Sequence, residues 1–344
     1  VFYPIIYNIA EDNVCAVDKD GTIYNNQKIY NLVTELTDFP ANRLTLITQG
    51  YISDKQAEYI TNEIQSNNKT ELYVYIDDII REGSTEIETF KNLSRDTDVF
   101  IKYYICSTNN ATLEKKYGIK LHYYDWFIIT WALGSHYLLE NYNIADKPTY
   151  KLSCLNNNCE QEHKILMASF VDKDTTMLTF QQPYLGEHFE KLTDFKDKIS
   201  KGNAELNQIG SNIYEGDFES TIEYISKAYV DVTVESTFFI DHTHFSEKIL
   251  KACLVKRPFI VVSGPKTLDV LKKLGFKTFW LWWNESYDNE LDHYKRLNKI
   301  FELIEQIESM SYQELDNMLK NMEDVLEHNK QQLLMLDRSF KWLT

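Results

Sequence analysis

Residues 244–264 read HFSEKILKACLVKRPFIVVSG, and the order of polar ends and apolar middles in this stretch decides the fold class. Ser246 is placed to accept a hydrogen bond from a first-turn backbone N–H, and Glu247 complements the dipole of the helix that follows. Ile249, Leu250, Cys253 and Leu254 share one apolar face. Pro258 then opens PFIVV, an unbroken apolar run that suits a central parallel strand covered on both sides. The run stops at Ser263-Gly264-Pro265. Thr267 starts the next helix, with Leu268, Leu271 and Leu274 toward the sheet and Gly275 placed to end it. FKTFW (276–280) is expected to form the strand after that.

Working outward, the same alternation covers most of the chain. Strands are expected at VCAV (14–17), RLTLITQ (43–49), ELYVYI (71–76), DVFIKYYI (98–105) and IKLHYY (119–124), with helices at 53–65 and 84–93 between them. Such alternation implies a parallel sheet with helices on both faces. Asp146-Lys147-Pro148 reads as a linker. Strands at 150–155, 175–180 and 230–236 then alternate with helices at 160–170 and 221–229. From about 289 onward the pattern is helical, with Ser311 and Glu314 forming a capping box. The expected architecture is α/β: two Rossmann-like units, 1–147 and 148–310, and a helical segment, 311–344, packing across them.

Composition agrees with a globular chain of this size. The 344 residues are 43% hydrophobic and 14% aromatic, enough for two cores. The net charge of −16 disfavours a broad nucleic-acid footprint. Five cysteines without a CxxC pair point away from a disulfide framework or zinc ribbon, so a reducing, cytoplasmic setting is expected. VFYPIIYNIAEDN at the amino end lacks a basic lead and reads as a strand, not a secretory signal. YYDWFIITWALGSHYLL (123–139) is interrupted by polar groups and reads as a buried helix, not a span.

The polar ends carry the functional argument. In open parallel sheets, ligands bind beyond the carboxyl ends of the strands, where helix amino termini also point. Glu235-Ser236 ends one strand, Ser263-Gly264 ends another, and Ser246-Glu247-Lys248 opens the helix between them. Helix N–H groups and Lys248 suit a phosphate. Glu247 would repel phosphate but accept hydrogen bonds from sugar or ribose hydroxyls. A ligand with both parts is a nucleotide sugar. Ser-Glu at a helix start is also ordinary capping, so these residues alone leave a structural role open.

The longer match is more specific. VTVES, HFSEKILKACLVKRPFIVVSG and LGFKTF together resemble the donor-binding segment of the alpha-1,3-fucosyltransferase family and of related viral and phage glycosyltransferases. GFKTFWLWWNESYD is similar to a run common in the viral and phage members. YKLSCLNNNCEQEHKILMASF (150–170) resembles their strand-loop-helix, with Asn156, His163 and Lys164 on the pattern. The resemblance covers about 150–310. It implies a two-domain GT-B architecture, a nucleotide-diphosphate-sugar donor held by the second domain, and an inverting reaction without an obligatory metal or cofactor. Glu235, Ser246, Glu247, Lys248, Gly264, Asn156, His163 and Lys164 are the implied donor-binding residues. Several relatives carry arginine in the loop where this chain has Asn157, Asn158 and Lys164, which leaves the diphosphate contact open.

An inverting transferase also needs a general base. Strand-end carboxylates in the first half are the candidates: Asp18 and Asp20 after VCAV, Asp77 and Asp78 after YVYI, and Asp125. The acceptor is a saccharide or glycoconjugate, or a hydroxymethylated base of phage DNA; in the second case the lysines of HFEKLTDFKDKISK, from His188, are the candidates for a basic channel, although the interspersed acids favour a solvated helix.

Competing readings have their own residues. VCAVDKDGT matches the D-x-D-G-T signature of haloacid-dehalogenase-like phosphatases, with Asp18 as nucleophile and Asp20 as acid/base. The D-x-D pairs Asp96/Asp98 and Asp172/Asp174 would suit a metal-dependent transferase of the single-domain type, but the duplicated β/α organisation argues against that fold and they read as solvated loops. Asp241, His242 and His244 are placed to face the donor from the loop before Ser246; a metal site is the weaker reading, because no third ligand has compelling spacing. Trp280, Trp282 and Trp283 suit packing, or a sugar or base platform. A non-catalytic sugar-binding protein would keep the same fold.

Overall fold

The computed structural model describes residues 5–8, 13–17, 23–25, 43–48, 54–66, 68–76, 86–105, 107–108, 111–123, 139, 142–156, 161–172, 174–180, 221–241, 243–244 and 246–336. The chain is mixed α/β and divides into two compact units, Val1–Phe127 with Ser339–Thr344, and Ile128–Arg338.

The first unit holds a seven-stranded sheet. Its strands are β1 (Ile5–Asn8), β2 (Asn13–Val17), β3 (Ile23–Asn25), β4 (Arg43–Thr48), β5 (Glu71–Ile76), β6 (Phe100–Ile105) and β7 (Leu121–Tyr123). They lie in the order β3-β2-β1-β4-β5-β6-β7. Helices α1 (Asp54–Ser66), α2 (Glu86–Thr97) and α3 (Ala111–Tyr117) join the last four strands, which are parallel. Ile60, Ile64, Leu72, Val74, Ile87 and Phe90 form the centre of this core.

The expectation of a wholly parallel sheet fails for the first three strands, which are antiparallel. The reason is chain length. Four residues join β1 to β2 and five join β2 to β3, whereas a parallel crossover needs a dozen or more.

The second unit is built on four parallel strands: β8 (Tyr150–Asn156), β9 (Thr176–Phe180), β10 (Ala228–Val234) and β11 (Phe259–Val262). Their order is β9-β8-β10-β11. Helices α4 (Glu162–Phe170), α5 (Thr221–Ser226), α6 (Glu247–Leu254) and α7 (Thr267–Lys273) follow the alternation. The expected helix at 221–229 ends at Ser226, because Ala228 already belongs to β10. Every residue of β10 and β11 is buried, as the apolar run at 259–262 requires of a central strand.

Beyond these come α8 (His293–Ser309), α9 (Tyr312–Asn321) and α10 (Glu323–Leu336). The Ser311–Glu314 capping box is present at the start of α9. Helix α10 packs along α6, and its Glu323 and Glu327 pair with Lys256 just past the end of α6. This cover explains why α6 is buried nearly all round, from Ile249 through Leu254. Asp146-Lys147-Pro148, expected as a linker, falls within the second unit. Just before it, the Ala145 N–H donates to Ser226 Oγ at 2.9 Å.

FKTFW does not become a strand. Its backbone is satisfied by side chains instead of a ladder. Lys277 N–H donates to Asn329 Oδ1 at 2.7 Å and Phe279 N–H to Glu285 Oε1 at 2.6 Å. Phe276 and Phe279 are buried, so the apolar pattern is spent on core anchoring. Gly275 ends α7 with φ +89, in the left-handed region.

Candidate functional site

Strand order creates a crevice in the second unit. From β8 the chain passes through α4 to β9 on one side; from β10 it passes through α6 to β11 on the other. Strand order therefore reverses between β8 and β10, and the crevice beyond their carboxyl ends is where open α/β sheets bind ligands. Asn156 ends β8, Glu235 follows β10, and the first turns of α4 and α6 flank them.

Glu235 is the hub, with its side chain wholly buried. Its Oε1 accepts from the Ser246 backbone N–H at 2.7 Å, and its Oε2 from the Ser246 hydroxyl at 2.7 Å. Lys248 Nζ lies 3.2 Å from the same Oε2 and 3.0 Å from Ser246 Oγ. Ser246 also caps α6, accepting from Lys248 N–H at 3.4 Å. One carboxylate thus fixes the loop, the cap and the lysine together.

His163, in the first turn of α4, spans the crevice. Its Nε2 lies 2.9 Å from the Glu235 carbonyl oxygen, and since a carbonyl only accepts, Nε2 carries the proton. Burial lowers the imidazole pKa to about 4, with Lys164 and Lys248 adding to the effect against the opposing Glu235 contact. The ring stacks on Phe238 at 5.6 Å and meets Phe239 edge-on. Phe238 is also held by Arg296 of α8, whose guanidinium sits 4.5 Å from the ring centroid and donates to the Phe238 carbonyl at 2.7 Å. Thr243 Oγ1 donates to the Pro265 carbonyl at 2.7 Å, tying the far end of the loop to the rim beyond β11.

Glu247 differs from Glu235. It is 7% exposed, yet its carboxylate accepts no hydrogen bond among the described residues. Two wholly buried oxygens have no partner among the described residues, Gln161 Oε1 at the start of α4 and Thr237 Oγ1 after β10. Buried polar atoms are normally satisfied, so unpaired ones at a ligand crevice are informative. Neither Gln161 nor Thr237 stands out in the sequence; the only signal is position, at a helix cap and just past a strand end.

Beneath the site, Asp231 of β10 accepts from Ser153 Oγ at 2.6 Å and Thr233 Oγ1 at 2.5 Å. Burial raises its pKa to about 6, opposed by those hydrogen bonds and by Lys251. This network lies under α6 and fixes β8 to β10.

The other expected residues fall as follows. Asn156 and Lys164 are buried at the crevice, with the Asn156 amide 3.3 Å from Cys154 Sγ. Gly264 is buried at the end of β11, its carbonyl accepting from Thr267 Oγ1 at 2.9 Å. Asp18, Asp20, Asp77, Asp78, Asp125, Asn157, Asn158, His242 and the HFEKLTDFKDKISK segment lie outside the described residues. In the Asn284-Glu285-Ser286-Tyr287-Asp288 run, the acids bind backbone: Glu285 holds Phe279, and Asp288 Oδ1 accepts from Leu268 N–H at 3.0 Å. Asp172 turns its own loop, accepting from Asp174 N–H and Thr175 Oγ1, and both acids of that pair are exposed. Of the three tryptophans only Trp283 is in the core; Trp280 is 66% exposed.

Among the described residues no group of three or more His, Cys, Asp or Glu is placed to hold a metal ion. None of their helices is long and apolar enough to cross a membrane. Compared with protein-family models and with curated proteins, the sequence matches none.

Proposed function

We propose that the chain is a glycosyltransferase of GT-B type that binds a nucleotide-diphosphate sugar at the β8–β10 crevice. The observation that carries the reading is Glu247: a largely buried residue whose carboxylate has no hydrogen-bond partner among the described residues, in the first turn of a helix whose cap is already served by Ser246 and Glu235. A carboxylate in that state suits vicinal hydroxyls, each of which supplies a donor. Lys248, Lys164 and the N–H groups of α4 and α6 suit the diphosphate, stabilising it as leaving group. Gly264 allows close backbone approach. His163, neutral at physiological pH, holds the loop and does not act as a phosphate cation.

Transfer would proceed by attack of an acceptor hydroxyl on the anomeric carbon, with inversion and without a metal ion, a carboxylate base taking the proton. Asp18, Asp20 and Asp78 remain the candidates for that base. The acceptor is a saccharide, a glycoconjugate or a hydroxymethylated DNA base, and the setting cytoplasmic.

Strand order does not favour the phosphatase alternative: β2 and β5, the strands that precede Asp18 and Asp77 in the sequence, are not neighbours but are separated by β1 and β4.

A thermal-shift panel of UDP, GDP, CMP and their sugars, run in EDTA, tests the proposal. One nucleotide and its sugar should stabilise the protein, by about 2.7 kcal/mol at a hundredfold excess over Kd. Glu247→Ala should lose that response while melting near the wild type. Stabilisation by none of them, or an unchanged response in the variant, would remove the assignment.

A further inference from the structure

The second unit carries another cavity, of about 300 Å³, lined by Trp282, Gln306, Ile307, Met310, Glu314, Asn317, Met318 and Asn321. Three elements build it: the Trp282 turn, the end of α8, and α9. Its floor is apolar, with Ile307 at 1% and Met318 at 8% exposed. Trp282 forms a half-buried wall, and Gln306, Asn317 and Asn321 stand exposed at the rim. No side-chain hydrogen bond engages these three carboxamides or the Trp282 indole N–H among the described residues.

We infer that this cavity is a binding site for a neutral saccharide, separate from the β8–β10 crevice. A pyranose has an apolar C–H face and a girdle of hydroxyls that both donate and accept. An indole wall meets the first requirement. Carboxamides, each offering two donors and an acceptor carbonyl, meet the second. The cavity volume is at the lower end of small-ligand sites and suits one or two sugar rings.

Charge selects among ligands. No lysine or arginine lines the cavity, so nothing offsets a phosphate or carboxylate. The single acid, Glu314, is committed to the cap of α9, where its Oε2 accepts from the Ser311 N–H and hydroxyl at 2.8 Å. Nucleotides and acidic sugars are therefore excluded, and a neutral glycan remains. The site does not depend on the transfer reading, because it shares no residue with the donor crevice.

Calorimetric titration of the full chain with trisaccharides of glucose, galactose, mannose and N-acetylglucosamine provides the test. At least one should bind saturably, and an excess of the nucleotides UDP, GDP and CMP should leave that binding intact. Trp282→Ala should weaken it roughly tenfold. Asn317→Ala with Asn321→Ala, at exposed positions that leave folding intact, should weaken it too. The inference is overturned if no trisaccharide binds the wild type, if nucleotide displaces the sugar, or if the asparagine variant binds as tightly as the wild type. Nucleotide binding, measured separately, reports on the crevice alone.

Discussion

Lys248 Nζ lies 3.2 Å from Glu235 Oε2, and the two side chains differ sharply in exposure: the glutamate is wholly buried and the lysine a quarter exposed. The pair is therefore asymmetric. Removing the lysine leaves a buried carboxylate still bonded to Ser246, whereas removing the glutamate strips three donors at once. Glu235→Ala should lower unfolding free energy by about 3 kcal/mol, since buried donors and a partly buried charge lose their acceptor. Glu235→Gln keeps an acceptor and should cost about half of that. Urea denaturation at neutral pH measures both.

Glu247 is twelve residues away and predicts the opposite. Its carboxylate has no hydrogen-bond partner to lose among the described residues, so Glu247→Gln should change stability by less than about 1 kcal/mol, the scale of its dipole interaction. Donor binding should fall much further than stability. Denaturation curves and nucleotide-sugar titration on the same protein separate the two effects.

These contrasting roles show what was legible in the residues. The helix beginning at Ser246, the buried PFIVV strand and the Gly275 stop all followed from local patterning, because capping and apolar runs report their own environment. The gathering of Glu235, Ser246 and Lys248 followed from strand polarity. The division of labour between Glu235 and Glu247 did not, since both are strand- or helix-end acids and only tertiary placement tells a satisfied carboxylate from an unpaired one. FKTFW misled for a related reason. Its composition is strand-like, but Glu285 and Asn329 satisfy its backbone from outside any sheet. The antiparallel β1–β3 meander was readable in principle from the short connections.

His163 gives a pH signature. Its pKa falls from the ordinary 6.5 to about 4 because burial disfavours the charged ring. A depressed folded value means the stability it contributes is present above pH 6.5 and is lost as pH falls toward 4. Asp231 and Asp288, raised to about 6, and Glu308, raised to about 7, act in the other direction. Theirs is full below their ordinary carboxylate range and is lost as pH rises through those values. A wild-type curve alone mixes the two trends. The difference between wild type and His163→Gln isolates the histidine: the wild type's advantage should be largest at pH 7 and shrink by pH 4.5. An advantage that is constant with pH would show that the ring is not kept neutral by the fold.

Arg296 holds the site's loop from behind. Its guanidinium donates to the carbonyls of Phe238 and Glu290 at 2.7 and 2.8 Å and contacts His293 Nδ1 at 3.0 Å, while lying over the Phe238 ring. The residue is 1% exposed, and burial lowers its pKa to about 10, still far above physiological pH. The planar fork reaches acceptors on two segments at once, which a lysine cannot do. Arg296→Lys should therefore cost about 2–3 kcal/mol, because at least one buried carbonyl loses its donor. The loss should also be local: amide exchange over residues 236–241 should accelerate more than exchange in β10 or α6. If the whole unit accelerated equally, Arg296 would be a general core contact, and its part in positioning Phe238 against His163 would fall away.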